Sequence, residues 1–104
     1  MTKYEIIEFI RSHKKELEER YGLVKIGLFG SYARDEAKEE SDIDFYVEFK
    51  EKKFRHIAGL WNYLENALVK KIDLFYPHKN MRDSLKKSIE KDIIYTHSSI
   101  STRR

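Results

Sequence analysis

Cysteine is missing from this 104-residue chain. That absence excludes disulfides, thiolate catalysis and cysteine-ligated zinc. Proline occurs once and glycine four times, and no linker, internal repeat or domain boundary divides the sequence. No apolar run is long enough to span a membrane, and the first residues lack the apolar core of a signal peptide, so a cytoplasmic protein is expected. Neither sign of charge dominates. There are 21 Lys+Arg against 18 Asp+Glu, a net charge of +3. The basic doublets Lys52-Lys53, Lys70-Lys71 and Lys86-Lys87 are scattered among acids. This reads as a solvated mixed surface rather than a nucleic-acid stripe, so direct nucleic-acid binding is not expected. His13, His56, His78 and His97 show no metal-ligand spacing.

What is present argues for one folded domain. The composition is 40% hydrophobic and 13% aromatic, enough for a core at this length. Thr2 and Glu5 have the spacing of a capping box. Ile6, Ile10, Leu17 and Tyr21 then recur near the helical period, with Gly22 as the stop. Residues 23–29 read as a strand with Val24, Ile26 and Leu28 on one face, and Gly27 inside it suggests a bend or close backbone approach. Residues 32–38 read as a short helix, and 54–68 as an amphipathic helix burying Ile57, Leu60, Trp61, Leu64 and Leu68. A short strand over 70–76 ends at Pro77. A helix over 81–91 turns Leu85 and Ile89 inward, and 93–95 adds an edge strand. The domain is taken as 1–97, with 98–104 a disordered tail. The fold class is α/β (α+β): helices against a small sheet of three to four strands. About ten residues separate the first two strands, too few for a parallel crossover, so a mixed or largely antiparallel sheet is expected.

The segment 28–49 carries the chemistry. Leu-Phe-Gly-Ser-Tyr-Ala-Arg ends a strand at Gly30-Ser31, and Ser-Asp-Ile-Asp-Phe-Tyr-Val-Glu-Phe opens the next. Along 42–49 Ile43, Phe45, Val47 and Phe49 alternate with Asp42, Asp44, Tyr46 and Glu48, so the two aspartates share a face. Two adjacent like charges call for a cation, and hard oxygen donors suit a magnesium ion carrying substrate phosphates. Asp73 likewise interrupts an apolar strand, Lys-Ile-Asp-Leu-Phe, and joins the pair if its strand lies alongside. A glycine and serine before a helix offer N–H groups and a hydroxyl to an anion, and Arg34 can add a charged contact. Taken singly, each aspartate reads as a turn or surface residue. Taken together, they fit two-metal phosphoryl or nucleotidyl transfer, with one carboxylate taking the proton of the attacking hydroxyl. Tyr32 and Tyr46 flank this place, as base-stacking or modified residues or as ordinary packing. The 13 Tyr and Phe exceed what so small a core hides, which points to an apolar patch for a partner.

Gly30-Ser31-Tyr32-Ala33-Arg34 followed by Ser41-Asp42-Ile43-Asp44-Phe45 resembles the signature of the DNA polymerase beta-like nucleotidyltransferase superfamily, and the whole chain resembles its minimal members. The resemblance implies that Gly30 and Ser31 hold the triphosphate of ATP, with Arg34 a phosphate or structural contact. It implies that Asp42 and Asp44 bind two Mg²⁺ ions, and that Asp73 is a third ligand that helps deprotonate the acceptor. Many relatives have glycine where this chain has Asp35, which bears on the conformation and charge of that turn. Minimal members resemble antitoxins paired with a helical HEPN ribonuclease toxin. The implied function is transfer of AMP from ATP to a tyrosine of such a partner. The rival is an antitoxin that neutralises its partner by contact alone.

Overall fold

A capping box starts the first helix, α1 (Lys3–Tyr21). Thr2 Oγ1 accepts the Glu5 N–H at 3.2 Å, and Glu5 Oε1 accepts the Thr2 N–H at 2.7 Å. Gly22 ends it at φ +66, a left-handed cap that glycine adopts without strain. The computed structural model describes residues 1–76 and 83–98. The expected strand end at Pro77, the helix start at Met81, the inward side chain of Leu85 and the tail 99–104 lie outside the described residues and side chains.

The remaining elements are β1 (Leu23–Phe29), β2 (Ile43–Phe49), α2 (Phe54–Leu68), β3 (Ile72–Phe75), α3 (Asp83–Asp92) and β4 (Ile94–Ser98). They build a mixed four-stranded sheet in the order β3-β2-β1-β4. β1 is antiparallel to both β2 and β4, whereas β2 and β3 run parallel. The short connection between the first two strands required the antiparallel pairing. The parallel pair has α2 as its crossover, which meets the length such a connection needs. Helices α1 and α2 cover one face, where Ile6, Ile10 and Leu17 meet Ile26, Leu28, Ile43, Phe45, Val47, Leu60 and Leu64, all fully buried. No helix among the described residues is long and apolar enough to cross a membrane.

Four local readings of the sequence are corrected. Val24 is not on the buried face. The β1–β2 register steps two residues on β1, Leu23 to Lys25, against one on β2, Phe49 to Glu48. Val24 is therefore the extra residue of a bulge, and Leu23 takes the inward place at 2% exposure. Residues 32–38 do not form a helix. A single turn forms there, because Asp35 at φ +60 reverses the chain. Trp61 is half-buried rather than core, and its indole N–H donates to the Ile72 carbonyl at 2.5 Å. The edge strand expected over 93–95 instead runs Ile94–Ser98.

Gly27 does mark a close approach. A Cβ there would lie 2.6 Å from Ile93 Cγ1, and the β1–β4 register shifts beside it. Apolar surface remains at the start of α2, where Phe54 is 84% exposed and borders a groove with Ala58, Trp61 and Tyr76.

Candidate active site

The site is built from the last residue of β1, the turn after it, and the first residues of β2 and β3. Alternation sends Ile43 and Phe45 into the core, so Asp44 emerges on the opposite face of the sheet. In the parallel pair Asp44 stands in register with Asp73. On its other side Asp44 is paired with Phe29, the residue before Gly30. One cross-strand row thus holds Phe29, Asp44 and Asp73. Asp42 precedes the strand rather than opening it. It follows a turn closed by Ser41, whose N–H donates to the Lys38 carbonyl at 3.0 Å while its Oγ accepts the Lys38 N–H at 2.8 Å. The Ile43 N–H then donates to the Lys71 carbonyl at 3.0 Å, which zips β2 onto β3 at this end. All three aspartates are half-buried.

Electrostatics follow from that crowding. Burial, followed by the charges of Asp73 and Asp42, pushes the Asp44 carboxyl from its ordinary 3.8 up to about 6, against a smaller opposing pull from Arg34. The hollow is short of positive charge. Its donors are hard carboxylate oxygens, the type a magnesium ion prefers. Among the described residues no three acidic or histidine side chains gather closely enough to enclose an ion by themselves. An ion here would complete its shell with water and substrate phosphate, which is how magnesium is commonly bound.

Gly30 closes the hollow. Its φ of +78 favours glycine, and a Cβ at this position would overlap Asp44 Oδ2. The turn that follows has a defined bonding pattern. The Arg34 N–H donates to the Gly30 carbonyl at 3.1 Å, the Asp35 N–H to Tyr32 at 3.2 Å, and the Glu36 N–H to Ser31 at 2.8 Å. The last two bonds, with a left-handed residue between, form a Schellman closure on a single helical turn. Asp35 therefore occupies the conformation that glycine takes freely. Its charge is drawn aside by Lys3, 3.0 Å away.

Ser31 is half-buried at the head of the turn. Arg34 lies in two ion pairs, Nε to Glu36 at 2.8 Å and Nη1 to Asp92 at 2.6 Å. Tyr32 is buried at 4% exposure and packs as core. Tyr46 is half-buried, and its hydroxyl donates to Glu48 at 2.8 Å. Burial and that acceptor raise the phenol above its ordinary value. Sequence reasoning overlooked Asp92 and Lys3. Each reads locally as a surface charge, and their partners lie 58 and 32 residues away.

Residues 10–96 match the sequence model of the nucleotidyltransferase domain family. The protein adenylyltransferase MntA of Thermococcus cleftensis is 43% identical over 95 residues, spanning 90% of this chain and 91% of its own. A solved structure provisionally named as a minimal nucleotidyltransferase superposes with a TM-score of 0.72 at 30% identity, covering 90% of this chain and 95% of that one. A structure of tri-AMPylated HEPN toxin with MNT antitoxin from Shewanella oneidensis aligns with a TM-score of 0.61 at 20% identity. It covers 89% of this chain and 73% of that one, and at that identity it speaks to the fold alone.

Proposed function

Since the chain belongs to the nucleotidyltransferase domain family, we propose that it is a magnesium-dependent enzyme transferring AMP from ATP to a partner protein, a tyrosine of a HEPN-type helical toxin. The observation that carries this reading is the register of Asp44 with Asp73, beside a glycine whose missing side chain leaves room for the Asp44 carboxylate. The adenylyltransferase name of a 43%-identical relative supports the choice of AMP and of a protein acceptor.

Within this reading the residues divide the work. Asp42, Asp44 and Asp73 would hold the metal together with water and substrate phosphate, and Gly30 and Ser31 would hold the triphosphate through backbone N–H groups and a hydroxyl. When bound, magnesium supplies charge neutralisation for the phosphates and leaving pyrophosphate. Asp73, on the edge strand β3, is the carboxylate next to an incoming acceptor and takes the proton from its hydroxyl. The acceptor oxygen forms a bond to the α-phosphorus while the bond from that phosphorus to the bridging oxygen of pyrophosphate breaks.

The test is transfer of label from α-phosphate-labelled ATP, with Mg²⁺, in a host extract containing the partner. The wild type is expected to label a protein band that the Asp42→Asn/Asp44→Asn variant does not. Label in RNA would move the acceptor to nucleic acid. No label, with a double variant that still neutralises the partner, would replace the enzyme reading with a contact-only antitoxin.

A further inference from the structure

We propose that Arg34 is a positioning residue that fastens the Gly30 turn to the end of α3 through Asp92, rather than a direct ligand of the nucleotide phosphates; this rests on the proposed activity. The guanidinium lies between two carboxylates, at 2.8 Å from Glu36 and 2.6 Å from Asp92. One positive charge between two negative ones leaves little net attraction for a phosphate. The two partners differ in burial. The Glu36 side chain is 64% exposed and easily replaced by water, whereas that of Asp92 is only 12% exposed. Withdrawing Arg34 to meet a phosphate would leave the Asp92 carboxylate largely buried without its cation, which is costly.

The clasp reaches the site through the backbone. The Arg34 N–H is bonded to the Gly30 carbonyl, and Gly30 packs directly on the Asp44 carboxylate. Fixing Arg34 to α3 therefore fixes the height of Gly30 over Asp44 and the aim of the turn that receives the triphosphate. Lys3 secures the next residue from the opposite side through Asp35. The turn is held from α1 and from α3, two elements that carry none of the proposed ligands.

The experiment is a double-mutant cycle on the full chain with Arg34→Gln, Asp92→Asn and both together, reading kcat and KM for Mg-ATP separately. The clasp predicts that each single variant raises KM about 10-fold and that the double variant is no worse than either single, the signature of coupled residues. A merely structural role would lower the active fraction at unchanged KM, and a direct phosphate ligand would make Arg34→Gln severe while Asp92→Asn bound ATP as well as or better than the wild type. Either pattern overturns the proposal. Hydrogen exchange of the Arg34, Asp35 and Glu36 amides, read without substrate, separates the clasp from the activity. Faster exchange in Asp92→Asn is expected, and unchanged exchange overturns the clasp whether or not the wild type transfers AMP. Faster exchange in a protein whose wild type transfers nothing would overturn the activity and leave the clasp standing.

Discussion

Asp44 is the residue at which fold and chemistry conflict. Its strand must place Ile43 and Phe45 in the core, which forces the carboxyl between them onto a half-buried row with Asp73. The ionised form is the one the metal-free fold disfavours. With a folded value of about 6 and an unfolded value near 3.9, stability falls as pH rises from about 4 to about 6, and the penalty is complete above that. About two pH units correspond to roughly 3 kcal/mol, reduced to about 1–2 kcal/mol because the group is half in contact with water. Asp44→Asn should therefore stabilise the metal-free protein by that amount at pH 7.5 and by nothing measurable at pH 4. Urea unfolding in chelator at the two pH values checks this, and a destabilised variant at pH 7.5 would contradict the strain described. The placement of Asp42 and Asp44 at the head of β2 was legible in the sequence because each interrupts or precedes an alternating strand. The pairing of Arg34 with Asp92 was not, since Asp92 stands 58 residues further on with nothing local to mark it.

At the scale of elements, legibility followed how local the cause is. The capping box of α1 and the bounds of α2 follow from contacts within a few residues, and both were readable from spacing alone. The bulge at Val24 was not, because it arises from pairing with β2 some 25 residues away. The misread helix over 32–38 has the composition of one, yet Asp35 in the left-handed region stops it after one turn. A similar conformation recurs at Val69, which ends α2 at φ +52 while 84% exposed. A β-branched residue is strained there and its side chain packs against little. Val69→Gly should raise stability by about 1 kcal/mol, which moves Tm up by roughly 4–8 °C in a domain of this size. Thermal melts decide it, and a lower Tm for the glycine variant would show that Val69 makes a contact worth more than its strain.

Over the whole molecule the two faces of the sheet have separate duties. One face is a continuous apolar core under α1 and α2, and the other carries Asp44 and Asp73 in register beside the Gly30 turn. The sheet's mixed pairing makes this possible. Antiparallel β1 and β2 bring Phe29 and Gly30 to Asp44, and parallel β3 brings Asp73 level with it. The sequence supplied the residues but left the neighbour of β2 open, since a parallel partner arriving through a 15-residue helix leaves no local trace. In the mechanism we propose, position on the edge strand gives Asp73 a distinct duty, facing the acceptor as well as the metal. The most direct test of this account is the rate of AMP transfer to the partner protein by Asp73→Asn against the wild type, with melting curves run in parallel. The account predicts a loss of at least about 100-fold, the scale of a lost general base, in a protein that melts with the wild type or above it. Transfer within two-fold of wild type by Asp73→Asn would contradict the shared carboxylate site.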